Sequence, residues 1–275
     1  MRMEAVAEAL VVRREGSQLS GQLWPGGADV VVLLHAGVAD SRCWPKVADE
    51  LAGRATVVAY DRRGFGKTAP SPIPFSHVED LVAVLDEVAA EKAWLVGNSM
   101  GGGLALDAAL LAPDRVAGLV LIAPAVSGAP EPTLDAEIQP FEDGITRAWD
   151  EKDLDELNRL ETWLWLDGPA GPEGRVGGPP RTLALAMNEI ILRHDVPEDA
   201  GASDVDVWSR LEEVTVPSVV ACGDLDVSFL VNRSRELAER LPRGRHRVLE
   251  RMAHLPSLEQ PSTVATLVAD ALATK

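Results

Sequence analysis

The sequence predicts an α/β fold: a mostly parallel sheet flanked by helices, with a helical lid inserted late in the chain. Three observations carry that reading. First, short continuous apolar runs, the mark of strands buried on both faces, alternate with segments of helical periodicity. Second, His35, Asp61 and Ser99 each fall just after such a run, at the sheet edge where folds of this kind hold ligands. Third, the alternation stops near Pro124 and resumes only after Asp204. With 275 residues, 46% of them hydrophobic and 25% charged, the chain suits one large globular core plus an insertion.

Residues 7–24 alternate apolar and polar around Gly16 and Gly21, the pattern of a leading antiparallel hairpin. The run 29–34 is the first fully buried strand. It ends in His35-Ala36-Gly37-Val38, a loop leading to a helix over about 44–51. A strand at 55–60 empties into Asp61-Arg62-Arg63-Gly64-Phe65-Gly66-Lys67-Thr68. Val78, Leu81, Val82, Leu85 and Val88 recur at helical spacing within 76–91. A short strand at 93–96 then meets Gly97-Asn98-Ser99-Met100-Gly101, a turn too tight for ordinary side chains. A helix follows from Met100 to about Leu111, stopped near Pro113, and 116–122 is another buried strand.

From 128 to 204 strand character is scarce. Helices are predicted at about 133–151, 153–165 and 180–194, separated by Gly-Pro-rich joints such as Asp167-Gly168-Pro169. Nine Asp and nine Glu against six Lys or Arg give this stretch −12 of the chain's net −17. Trp149, Trp163 and Trp165 are apolar anchors that need something to pack on. The stretch therefore reads as a lid (128–204) between core segments 1–127 and 205–275, rather than as a solvated helical excursion. The core resumes with a strand at 216–222, Gly223-Asp224-Leu225-Asp226 and a helix at about 230–241. A last strand at 246–250 leads to Met252-Ala253-His254-Leu255-Pro256, and Val264, Leu267, Val268 and Leu272 mark a closing helix.

Several functions are excluded. A net charge of −17 disfavours nucleic acid and anionic membranes, both of which rely on a positive field. No run of about 18 apolar residues could span a bilayer. The N-terminal start does not resemble a secretion signal, and Cys43 and Cys222 form neither a disulfide framework nor a metal-ligand spacing. A cytoplasmic location is expected. Gly66-Lys67-Thr68 hints at a phosphate loop, but that motif needs glycine where Asp61 stands. Gly64-x-Gly66-x-x-Ala69 resembles a dinucleotide fingerprint, but Pro70 and Pro72 prevent the helix it requires. The pairs Asp153/Asp155 and Asp224/Asp226 lack the rest of a metal-ligand set. No cofactor is expected.

Ser99 lies in the frame Gly97-x-Ser99-x-Gly101 between a strand and a helix, which projects its hydroxyl from the sheet edge. A serine hydroxyl is a poor nucleophile until a base takes its proton and a carboxylate orients that base. Of five histidines, His35 precedes its loop's glycine, His77 starts a helix, His194 is in the lid and His246 opens a strand. His254, in the loop after the last strand, is the one placed to act as base. Asp224 and Asp226 both follow the strand ending at Cys222, so either suits the acid. The order Ser, Asp, His is that of nucleophile-elbow hydrolases.

Taken together, His35-Ala-Gly37, Tyr60-Asp-Arg-Arg-Gly-Phe-Gly66, Gly97-Asn-Ser-Met-Gly-Gly102, Gly223-Asp-Leu-Asp226 and His254-Leu-Pro-Ser-Leu-Glu-Gln-Pro261 cover both halves of the core in order. On these landmarks the chain resembles the α/β-hydrolase-fold superfamily, in its lidded esterase- and epoxide-hydrolase-like branch. The resemblance implies that Asp226, third after its glycine, is the acid. It also implies an oxyanion hole built from the amides of Met100 and Gly37. This chain has His-Ala-Gly where the family usually has His-Gly, which leaves Val38 open as the second donor. His35 is then structural, tying its loop through a ring hydrogen bond, with Asp61 and Arg62 bracing the same loop.

An aspartate at 99 would imply epoxide or haloalkane hydrolysis, whereas serine implies acyl transfer to water from an ester or lactone. The implied substrate is a small molecule, largely apolar and uncharged. Two alternatives stand beside it. Gly-Asn-Ser-Met-Gly-Gly is also the elbow wording of carbon–carbon bond hydrolases acting on ring-cleavage products. Those substrates are dianions that a lid of −12 would repel, and no lid arginine is recognisable as their clamp, with Arg147, Arg181 and Arg193 left open. A binding or receptor-like homologue with slow turnover would keep the same residues. Substrate identity and oligomeric state are not legible.

Overall fold

Two registers of side chains explain why the central strands read as unbroken apolar runs. In the computed structural model, which describes residues 6–133, 135–194, 196 and 200–274, alternate residues of each strand enter different apolar clusters. Met1–Ala5 lie outside the described residues, and so does that part of the N-terminal reading. Val31, Leu33, Val57 and Val96 face one side of the sheet, while Val32, Leu34, Val58 and Leu95 face the other. With both faces covered, neither register can be polar.

In chain order the first half holds β1 (Glu8–Arg14), β2 (Ser17–Leu34), α1 (Pro45–Leu51), β3 (Ala55–Tyr60), α2 (His77–Glu87), β4 (Ala93–Asn98), α3 (Met100–Leu111) and β5 (Val116–Ile122). The insertion holds α4 (Gln139–Glu151), α5 (Leu154–Thr162) and α6 (Gly178–His194). The second half holds β6 (Ser218–Gly223), α7 (Ser228–Arg240), β7 (Gly244–Leu249), α8 (Pro256–Glu259) and α9 (Pro261–Ala273). β2, β4, β5, β6 and β7 pair in that order, all parallel, and β1 adds antiparallel to β2. Trp44, Val47 and Leu51 pack with Val264 and Val268 of α9 on one face. Leu81 and Leu85 of α2, Leu104 of α3 and Leu237 of α7 cover the other.

The expected hairpin arm and the first buried strand prove to be one continuous strand, β2. It bends so that β3 lies along both of its arms. Gly21 to Trp24 run against Tyr60 to Val57, and Val30 to Leu33 run alongside Thr56 to Ala59. A Cβ on Gly26 or Gly27 would collide with the carbonyls of Ala55 and Arg54, which is how the backbone can fold across β3 at that bend. Trp24, read as the end of a hairpin, is buried there and donates its Nε1–H to Asp49 at 2.9 Å.

Two boundaries in the insertion differ from expectation. α4 starts at Gln139 rather than near 133, with Pro140 at its first turn, where a missing N–H costs nothing. The expected 153–165 helix is α-helical only to Thr162 and continues as a π-helical turn over Trp163–Asp167. Trp163 meets Phe141 edge-to-face with centroids 5.1 Å apart, as an anchor should. Trp149 is a correction: it is 56% exposed on α4 and joins none of the apolar clusters among the described residues.

Candidate active site

The elbow is built from backbone constraints. Ser99 sits at φ 52°, ψ −117°, a conformation that L-residues adopt at a cost of about 1–3 kcal/mol unless their surroundings enforce it. Its surroundings do. The Ser99 N–H donates to Ile122 O at 2.8 Å, and the Ser99 carbonyl accepts from Gly102 N at 2.8 Å and from Gly103 N and Ala125 N at 3.0 Å. The flanking glycines are there for space: a Cβ on Gly97 would strike the Gly101 carbonyl, and one on Gly101 would strike that of Leu34.

β6 and β7 bring the other two residues together. His254 Nδ1–H donates to Asp226 Oδ2 at 2.8 Å, and both side chains are almost fully buried. Asp226 Oδ1 accepts from Val227 N at 2.7 Å, and the Cys222 thiol points at Oδ2 from 3.6 Å. Asp224 turns elsewhere, accepting from Arg251 N at 2.6 Å. Of the two aspartates that the residues alone left open, it is Asp226 that lies beside the histidine. Ser99 and His254 line one cavity of about 510 Å³. Among the described residues no hydrogen bond joins the Ser99 hydroxyl to the His254 ring, a contact that often tightens only on substrate binding.

Met100 and Gly37 line the same cavity, as does Val38. Met100 is the first residue of α3, so its amide has no acceptor within the helix and sits at the positive end of the helix dipole. A Cβ on Gly37 would reach only ordinary contact, 3.4 Å from Met100 Cε, so space alone does not demand glycine there.

The loop behind them is held by His35 and Arg62. The Arg62 amide donates to His35 Nε2 at 3.2 Å, which leaves the proton on Nδ1 to bond Ala36 O at 2.8 Å. Burial and the neighbouring Arg62 guanidinium hold the His35 imidazole well below the usual histidine range. Arg62 Nη2 donates to the carbonyls of His35 and Ala36, and Asp61 accepts from the amides of Ser41 and Lys67. This is the bracing expected of these three residues.

Sequence reasoning missed three parts of the cavity wall. Arg63 reaches it while its guanidinium is bound by both oxygens of Asp80, at 2.7 and 2.8 Å. His77 reaches it as a neutral ring, because burial first and Arg62 second push it down to about 3. Glu161, on α5, is the single carboxylate on the wall among the described residues. The Trp165 ring lies tilted against the His254 ring with centroids 4.7 Å apart, and the Trp165 carbonyl accepts the His254 amide at 3.2 Å. Arg175 bonds both Leu166 O and Glu259, whose other oxygen holds the Ala253 amide, and so ties the insertion to the His254 loop. Nothing local marks these contacts, since the partners that tie the insertion to the His254 loop are 84 and 89 residues apart.

Residues 31–267 match the alpha/beta hydrolase family. The chain is 27% identical to the pimeloyl-acyl-carrier-protein methyl ester esterase of Vibrio atlanticus, over 88% of this chain and 92% of that one. It is also 27% identical to the 2-hydroxy-6-oxononadienedioate/2-hydroxy-6-oxononatrienedioate hydrolase of Cupriavidus pinatubonensis, over 90% and 87%. Its fold superposes on that of the esterase RhEst1 from a Rhodococcus species with a TM-score of 0.76 at 22% identity, covering 99% of each chain. Among the described residues no helix is long and apolar enough to cross a membrane.

Proposed function

The chain belongs to the alpha/beta hydrolase family of enzymes, and from that premise we propose that it is a serine hydrolase cleaving a small carboxylic ester or lactone through an acyl-enzyme. Ser99 Oγ attacks the carbonyl carbon while His254 Nε2 takes its proton, and Asp226 holds the ring through Nδ1. The oxyanion is received by the Met100 amide and by that of Gly37, each such donor being worth about 10²–10³ in rate. His254 then protonates the leaving alcohol. Water, activated by the same ring, releases the acid and restores Ser99. Residues 128–204 act as a cap, since Glu161, Trp165, Ile191, Val196 and Ala200 close the cavity over Ser99.

The observation that carries this reading is a serine held at φ 52° in the same cavity as a buried histidine whose far nitrogen is bonded to a carboxylate. A carbon–carbon hydrolase working on dianions finds less support. The one cation on the wall among the described residues, Arg63, is neutralised by Asp80. Arg181 and Arg193 are paired with lid acids, and neither they nor Arg147 reach the wall.

A fluorophosphonate probe followed by peptide mapping is the test, together with steady-state hydrolysis of a short p-nitrophenyl ester. One adduct at Ser99 and many turnovers per molecule are expected. No adduct at Ser99 overturns the nucleophile, and an adduct with only a single burst of product identifies a receptor-like homologue.

A further inference from the structure

The cavity wall carries one group that the proposed acyl transfer leaves unused. Glu161 projects from α5, opposite the strand edge that supplies Ser99 and His254, and lines the cavity with them. Its Oε2 accepts from Asn188 Nδ2 at 2.7 Å. Asn188 is itself buried and donates to Asn158 Oδ1 at 3.1 Å, while Asn158 donates to Leu185 O at 3.0 Å. The carboxylate is thus fixed in place by neutral amides alone. Its second oxygen, Oε1, has no partner among the described residues. The nearest arginine in sequence, Arg159, is committed to Glu156 and Glu173.

That arrangement has a cost in the free protein. Removing a carboxylate from water without a cation is unfavourable, and burial accordingly raises the Glu161 carboxyl above the usual range. A glutamine would accept the Asn188 bond equally well without that cost. The charge is useful only once something reaches Oε1. Among the described residues the rest of the wall offers no competing charge: Arg63 is saturated by Asp80, Glu15 O and Ser71, His77 is neutral, and Val38, Phe65, Met100, Ile191 and Val196 are apolar.

We propose that Glu161 is a specificity-determining residue whose Oε1 receives a donor, best an ammonium group, on the acyl or alcohol part of the substrate. The cavity then takes aminated esters or lactones and rejects carboxylate-bearing ones. This rests on the hydrolase reading above, and it departs from the expectation of an uncharged substrate by adding one cationic group. The ammonium docks against Glu161 while the carbonyl lies at Ser99, with the apolar wall covering the chain between them.

The experiment uses p-nitrophenyl esters, at several chain lengths, whose acyl chain ends in an ammonium, a methyl or a carboxylate group. At the best length kcat/KM is expected to favour ammonium over methyl by about 10- to 100-fold, the range of one charge-assisted hydrogen bond, with carboxylate slowest. Glu161→Gln is expected to bring the ammonium-to-methyl ratio to within about threefold of one. The absence of an ammonium preference at every length overturns the proposal without any variant having to fold. An unchanged ratio in Glu161→Gln overturns it too, because a merely structural role leaves the ratio alone. If no ester turns over and Ser99 is not labelled, it is the hydrolase reading that fails. Tryptophan-fluorescence titration with 1-aminoalkanes and 1-alkanols then decides the Glu161 assignment: a preference for amines that is lost in Glu161→Gln supports it, and equal affinities overturn it.

Discussion

Replacing Asp226 with asparagine changes one atom at the centre of the proposed mechanism. Asp226 Oδ1 accepts from Val227 N at 2.7 Å and Oδ2 from His254 Nδ1 at 2.8 Å. Asparagine has one acceptor oxygen, which the Val227 amide claims, so its NH2 faces the ring. An Nδ1–H cannot donate to an NH2. The imidazole therefore moves its proton to Nε2, the nitrogen that must be bare to accept from Ser99. Loss of the correct tautomer is expected to lower kcat by about 10⁴, or about 5.5 kcal/mol of barrier. Stability should fall by no more than about 1.5–3 kcal/mol, the value of a hydrogen bond to a charged group. Asp224→Asn is the matched control, because Asp224 touches the Arg251 amide and an asparagine oxygen can keep that bond. Single-turnover rates with a short p-nitrophenyl ester, beside circular-dichroism melts, measure both quantities. A folded Asp226→Asn enzyme within tenfold of the wild-type rate refutes the tautomer argument, as does an equal loss in Asp224→Asn.

Two further outcomes concern stability. Asp80→Ala leaves the buried Arg63 guanidinium without its carboxylate and also frees Arg14, so urea unfolding should show a loss of about 3–5 kcal/mol. His35 and His77 are both depressed in the folded state, which places their stabilisation above the ordinary histidine value and removes it as pH falls. Each contributes a slope of about 1.4 kcal/mol per pH unit below about pH 6.5, continuing for His77 to about 3. The raised carboxyls of Asp61, Asp107, Glu161 and Glu259 act in the opposite sense, so the difference between proteins is the quantity to read. Urea midpoints for His77→Gln at about pH 6, 5 and 4 should fall less steeply than wild type by about 1.4 kcal/mol per unit. Parallel profiles would rule out a neutral buried His77.

The fold and half of the site were legible in the sequence because they depend on neighbours in the chain. A strand buried on both faces must be apolar at every position, and a serine between glycines at a strand end has few other conformations. Ser99 and His254 could each be placed by the strand that precedes it, whereas the strand before Asp226 left Asp224 equally possible. The continuity of β2 was hidden for the opposite reason. Trp24-Pro25-Gly26-Gly27 has the composition of a turn, and only the carbonyls of Arg54 and Ala55 show that these glycines serve close approach across β3. Trp149 failed because composition cannot say which side of a helix meets the core, and the acidic side of α4 carries it into solvent.

Glu161 marks the deeper divide. It lies in a run, Asp155-Glu156-Leu157-Asn158-Arg159-Leu160-Glu161, where acids are the ordinary surface residues of a helix. Glu156 behaves as such, paired with Arg159 near the solvent. Five residues on, the same side-chain chemistry lines the cavity with Ser99 instead, because a helix turns by about 100° per residue and five residues carry a side chain about 140° around the axis, to a different face. The fold of the insertion over the sheet then determines which of these acids is enclosed. The chain is equally similar, at 27% identity, to a methyl ester esterase and to a dienedioate hydrolase, so overall similarity does not distinguish their substrates. Discrimination has to come from wall residues that vary while the elbow is kept. Among the described residues of this chain the wall presents one carboxylate, Glu161, with an oxygen left open and no unpaired cation, a polarity opposite to that needed by a dicarboxylate.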